Sequence, residues 1–164
     1  MDRKKILIVE DDKDIAMGLS VRLKANGYDT ACASDAHSGI EVASKENPDL
    51  ILLDLGLPDD NGFVMMKKME KLPSLSSVPI IVITGRPQEV YKEATVLAGA
   101  KKYLQKPVEN QELLAAIREV LGPHARPATE TFPSLGRHRE EQAIDSARTR
   151  KLHRRGAEDT EKGE

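Results

Sequence analysis

The amino-acid sequence predicts an α/β domain in which five parallel strands are wound on both faces by helices. Three observations carry this expectation. Short apolar runs, such as Ile6-Leu7-Ile8-Val9, Leu50-Ile51-Leu52-Leu53 and Ile80-Ile81-Val82-Ile83, alternate with longer stretches whose apolar residues recur at helical spacing. The runs lack the polar alternation of a half-solvated strand, so they read as interior strands covered on both sides. Strict alternation of strand and helix over residues 1–122 calls for right-handed crossovers, and therefore for a parallel sheet.

The first strand runs into the acids Glu10-Asp11-Asp12, after which Ile15, Ala16, Met17, Leu19 and Leu23 mark a helix over 13–26. Gly27 after Asn26 is its left-handed stop. A short second strand occupies 28–33, and Ser34-Asp35 caps a helix whose inward face is Ile40, Val42 and Ala43. Pro48 ends the connection to the third strand, which Asp54 closes. The turn-rich Leu57-Pro58-Asp59-Asp60-Asn61-Gly62 leads into a helix carrying Phe63, Met66 and Met69 inward, and Pro73 closes it. After the fourth strand comes the loop Thr84-Gly85-Arg86-Pro87, then a helix marked by Val90, Ala94, Leu97 and Ala98 and ended by Gly99. Residues 102–105 supply the fifth strand and Lys106-Pro107 turns the chain. Leu113, Leu114, Ile117 and Leu121 line the last helix, which stops at Gly122-Pro123.

Beyond Pro123 the pattern fails. Residues 123–164 hold Pro127, Pro133, Gly136 and few large aliphatics, too little apolar surface for a core. Residues 137–155 carry seven Arg or Lys against Glu140, Glu141 and Asp145, a local charge of +4 without Pro or Gly. The expectation is a polar tail, disordered or partly helical, with 137–155 as the candidate helix. The formal charge of −2 excludes polyanion binding by bulk electrostatics. A single cysteine, Cys32, excludes an internal disulfide framework and a thiolate metal site, fits a cytoplasmic location, and is expected as a buried structural thiol. No apolar run approaches the ~20 residues a membrane helix needs, so neither insertion nor export is expected.

In doubly wound sheets ligands sit at the carboxyl ends of the strands, where the strand order reverses. That rule places Asp11 and Asp54 in one pocket. Crowded carboxylates repel one another unless protonated or sharing a cation, and a hard, oxygen-preferring ion suits them, with Mg2+ the natural candidate.

Taken together, Glu10-Asp11, Asp54, Thr84, Lys106-Pro107 and Gly99-Ala100-Lys101-Lys102-Tyr103-Leu104 resemble the receiver domain of two-component response regulators across residues 1–122. The resemblance implies a flavodoxin-like strand order of 2-1-3-4-5 and a phosphoryl group accepted on Asp54. It implies Mg2+ held by Glu10, Asp11, Asp54 and the Gly56 backbone carbonyl, with Lys106 and Thr84 contacting phosphate oxygens. Phosphorylation would draw Thr84 towards the new group and let Tyr103 rotate inward, reshaping the face of the fourth helix, fifth strand and fifth helix. The chemistry is that of a switch that catalyses only its own phosphorylation and dephosphorylation. The implied partners are a sensor histidine kinase or histidine phosphotransfer protein and a downstream protein, with a phosphorylation-dependent homodimer as a further implied state.

Asp12 reads as a helix-start acid rather than a ligand. His37, His124, His138 and His153 lack ligand spacing and read as surface residues. The chain departs from the usual family pattern at Asp59-Asp60-Asn61, where acids stand in place of an apolar residue and Asn in place of Asp. Gly56 and Arg86, two residues beyond Asp54 and Thr84, are expected to line the path of attacking water and so to set the phosphoryl lifetime.

Rival functions fit less well. A haloacid-dehalogenase-type phosphatase wants a second Asp where Gly56 stands, and a flavodoxin-type cofactor loop would be repelled by Glu10-Asp11-Asp12. No Gly-x-x-x-x-Gly-Lys loop is present. The alternative of substance is a regulator whose basic tail, near 148–155, contacts nucleic acid. The tail has too few apolar residues for a helix-turn-helix core, so a stand-alone receiver acting through proteins is the favoured reading.

Overall fold

The protein is described by a computed structural model covering residues 3–58 and 62–122. The tail, with its candidate helix 137–155 and its basic run near 148–155, lies outside the described residues, as do Asp59, Asp60 and Asn61.

The elements follow in strict alternation: β1 (Lys5–Val9), α1 (Lys13–Ala25), β2 (Asp29–Ala33), α2 (Ala36–Glu46), β3 (Leu50–Leu53), α3 (Gly62–Glu70), β4 (Ile80–Thr84), α4 (Gln88–Leu97), β5 (Lys102–Gln105) and α5 (Asn110–Leu121). The strands form one sheet in the order β2-β1-β3-β4-β5, parallel at every pairing. This is the expected doubly wound sheet.

The unbroken apolar runs are explained by a period of two inside each strand. Leu7, Val9, Ile51, Leu53, Ile80 and Val82 join Ala36 and Ala43 of α2 and Met65, Met66 and Met69 of α3 in one core layer. Ile6, Ile8, Leu50, Leu52, Ile81 and Ile83 face the other way, onto Ala16, Leu19 and Leu23 of α1 and Leu113, Leu114 and Ile117 of α5. Each such side chain taken out of water contributes about 1.5–3 kcal/mol, so the central strands anchor the fold.

The starts of α1 and α2 are capped by acids. Asp12 accepts hydrogen bonds from the Asp14 and Ile15 amides at 2.9 and 3.1 Å, and Asp35 accepts one from the Ser38 amide at 2.7 Å. Gly27 ends α1 with φ near 89°, a conformation that suits glycine.

Three sequence expectations need correction. Cys32 is exposed, not buried, because β2 is the sheet edge and α1 points Ala16, Leu19 and Leu23 inward without covering that end. On α1, Met17 is 68% exposed and lies outside the packed face, as Ile15 largely does. On α4 the residues that mark the helix in the sequence, Val90 and Leu97 among them, turn outward, while Thr95 is fully buried and Tyr91 packs against the core. The Thr95 hydroxyl donates to the Tyr91 carbonyl at 2.6 Å, which removes the cost of burying it. Among the described residues, no helix is long and apolar enough to cross a membrane.

Candidate phosphoacceptor site

Strand register delivers the acids to one place. Val9 pairs with Leu53 and Leu53 with Val82, so the residues that follow at the carboxyl ends, Glu10 and Asp54, emerge side by side next to Thr84. Backbone bonds hold them there: the Asp54 amide donates to the Val9 carbonyl at 3.1 Å and the Glu10 amide to the Ala33 carbonyl at 3.0 Å. From β5, the Lys106 amide donates to the Thr84 carbonyl at 2.8 Å, which carries the Lys106 side chain over the same rim.

Lys106 Nζ donates to Glu10 Oε2 and, at 3.0 Å, to Asp54 Oδ2. The other Asp54 oxygen accepts the Gly56 amide at 3.0 Å. Glu10 and Asp54 are only 5% and 9% exposed, whereas Asp11 is exposed at the pocket mouth. Oxygens of Glu10, Asp11 and Asp54 all lie within 4.8 Å of one another. Two ligands of one Mg2+ sit at most about 4.2 Å apart, so a modest side-chain rotation suffices for the three carboxylates to share an ion. One lysine against three carboxylates leaves an anionic pocket, which is the donor chemistry a hard divalent cation needs. The residues present therefore fit Mg2+.

The two buried carboxylates have been driven apart. Burial, Lys106 and the neighbouring Asp54 charge act on Glu10, and its pKa rises above the ordinary 4.5. Burial pushes Asp54 upward too, but the Gly56 amide, Lys106 and the Thr84 hydroxyl outweigh it and hold Asp54 below its usual 3.8. Burial lowers the Lys106 pKa and the bonds to Glu10 and Asp54 raise it further, for a net rise above 10.5. Asp54 thus stays an ionised carboxylate at neutral pH.

These directions fix a pH dependence of stability in the metal-free protein. A carboxyl with a raised folded pKa opposes folding once ionised, so Glu10 returns stability as pH falls through its value above 4.5. A depressed carboxyl supports folding above its unfolded value, so the Asp54 contribution is lost as pH falls below 3.8. Urea midpoints are expected to hold or rise slightly from pH 6 to 5 and to fall below ~4, and Asp54→Asn is expected to flatten the acid limb. An equally steep limb in the variant would contradict the assignment.

Thr84 is buried, and its hydroxyl accepts the Arg86 amide at 3.4 Å. Tyr103 is 8% exposed and its hydroxyl donates to the Arg86 carbonyl at 2.6 Å. The Tyr103 ring is thus buried, with its hydroxyl tied to the loop that follows β4. Asp12 serves as the α1 cap, and His37 lies on the surface of α2 beside Glu41 at 3.2 Å.

One supporting residue escaped the sequence reading. A Cβ at Gly62 would come within 3.0 Å of both the Asp54 carbonyl oxygen and Leu55 Cα, so only glycine lets α3 begin directly against the Asp54 peptide. The turn-rich string before α3 contained that signal, but spacing alone could not tie Gly62 to Asp54.

The model of the response regulator receiver domain family matches residues 6–118. Among solved structures, a CheY-like response regulator receiver domain protein from Methanospirillum hungatei is 33% identical, with 73% of this chain and 94% of that chain covered and a TM-score of 0.68. The chemotaxis protein CheY4 of Vibrio cholerae is 28% identical, with 73% and 100% covered and a TM-score of 0.69. The receiver domain of a sensor histidine kinase from Pseudomonas aeruginosa is 26% identical, with 74% and 100% covered and a TM-score of 0.68; its structure holds a magnesium ion coordinated in the active-site cleft.

Proposed function

This chain belongs to the response regulator receiver family, and from that membership we propose that it is a phosphoacceptor switch of a two-component system. Residues 1–122 form the receiver and 123–164 a tail. The protein works in the cytoplasm, taking a phosphoryl group onto Asp54 from a histidine kinase or a histidine phosphotransfer protein. The observation that carries the proposal is the Asp54 carboxylate, fixed by the Gly56 amide and by Lys106 among carboxylates close enough to share one cation.

In the transfer, an Asp54 oxygen attacks phosphorus, the new O–P bond forms, and the histidine N–P bond breaks, with its electron pair returning to the imidazole. Glu10, Asp11, Asp54 and the Gly56 carbonyl would hold Mg2+, which supplies screening of the phosphate oxygens. The magnesium in the Pseudomonas aeruginosa relative supports that assignment. Lys106 passes from the Asp54 carboxylate to a phosphate oxygen, and the Thr84 hydroxyl donates to another. A held Thr84 pulls on the 84–87 loop, whose Arg86 carbonyl is clamped by Tyr103, so a local charge change biases the α4–β5–α5 face. The outward Val90, Val96 and Leu97 give α4 apolar surface for a downstream protein, or for a second phosphorylated copy. A coupling of ~1–3 kcal/mol would change partner affinity by one to two decades.

Incubation with Mg2+ and acetyl phosphate followed by intact mass measurement tests the proposal. One added phosphoryl group supports it, and an unmodified chain overturns it. The lifetime of the acyl phosphate is a second readout. Arg86→Glu replaces a guanidinium held over the Tyr91 ring by a carboxylate, two residues beyond Thr84, able to orient water, and the dephosphorylation half-life is expected to shorten about two- to fivefold, the range of a partly solvated charge contact. An unchanged half-life would remove Arg86 from the water path.

A further inference from the structure

Arg86 stands two residues beyond Thr84, close to an anionic pocket, yet its guanidinium points elsewhere. The charged carbon lies 5.2 Å from the centre of the Tyr91 ring, on the first turn of α4. The rest of the residue is pinned near the site: its amide donates to Thr84 Oγ1 at 3.4 Å and its carbonyl accepts the Tyr103 hydroxyl at 2.6 Å. Tyr91 is itself held firmly, packed against the core layer, its amide bonded to the Pro87 carbonyl at 3.2 Å and its carbonyl bonded to the buried Thr95 hydroxyl.

We infer that Tyr91 is a positioning residue that parks Arg86 on its ring and so keeps a second cation out of the Glu10-Asp11-Asp54 pocket. The inference rests on the phosphoacceptor reading and adds a determinant of metal affinity that lies outside the ligand set. Lys106 already offsets one of the three pocket charges. A guanidinium set loose two residues from Thr84 is drawn to the remaining anionic oxygens, where it competes with a divalent ion for them. A stacked cation of this kind favours the parked position by about two- to fivefold at a partly exposed site, and loss of the ring forfeits that factor.

The test is Mg2+ binding by isothermal titration calorimetry on the full chain without any phosphodonor. Tyr91→Leu is expected to bind Mg2+ about two- to fivefold more weakly than wild type, while Tyr91→Phe, which keeps the ring, binds as wild type does. In an Arg86→Ala background, Tyr91→Leu is expected to have no further effect, because the cation it would release is gone. Equal affinity of wild type and Tyr91→Leu, or a weakening that persists in the Arg86→Ala background, overturns the inference. Absence of Mg2+ binding by the wild type would instead remove the phosphoacceptor reading beneath it.

Discussion

Asp54→Asn is expected to end phosphorylation by acetyl phosphate altogether, with no added phosphoryl group in the intact mass under conditions that modify the native chain fully. The side chains are nearly isosteric, and Asn can still accept the Gly56 amide through its oxygen, so the local backbone should persist. What disappears is the anionic oxygen proposed to attack phosphorus, and an amide offers no substitute nucleophile. Mg2+ affinity should fall as well, since one of three clustered carboxylates is lost. Folding should survive, because Asp54 is one of the influences pushing Glu10 upward, and its removal relieves a like-charge contact while freeing Lys106 for Glu10 alone. A phosphorylated Asp54→Asn chain would show that another residue is the acceptor, and the reading of this pocket would fail.

The Asp54 pocket was legible because two features of the chain are local. A four-residue apolar run ending in a carboxylate states both an interior strand and what stands at its end, and parallel register then does the rest. Glu10, Asp54, Thr84 and Lys106 each follow or close a strand, so their convergence follows from the topology. Other features depend on which face a neighbour covers, and spacing does not encode that. In α4 the regular apolar series marks the side left open, while the buried side carries Thr95, whose polarity is hidden by a hydrogen bond one turn back. Cys32 looked like a core residue by type and is exposed by its place on an edge strand. Gly62 and Tyr91 act through contacts with Asp54 and Arg86 that arise only once α3 and α4 are docked.

Lys106→Met separates the two bonds of the ammonium, to Glu10 and Asp54, from its proposed contact with phosphate. Methionine keeps much of the stem and removes the charge, so Glu10 and Asp54 face each other without a shared donor. In the metal-free protein this should destabilise the fold at pH 7 by about 1–3 kcal/mol, the cost of leaving charged hydrogen-bonding groups without their partner. The pH response should then steepen: both carboxyls are pushed upward, so stability should rise clearly as pH falls from 7 towards 5, a window in which the native chain changes little. Mg2+ should bind more tightly than in the native chain, because no resident cation has to be displaced from the carboxylates, and saturating Mg2+ should recover the lost stability by mass action. Phosphorylation by acetyl phosphate should nonetheless slow by about 10²–10³-fold, the usual loss when a preorganised donor to developing charge is removed. Tighter metal with slower transfer is the combination that distinguishes an electrostatic partner of the phosphoryl group from a lysine that only holds the pocket together. A structural lysine would weaken both, and a variant phosphorylated at the native rate would take Lys106 out of the chemistry.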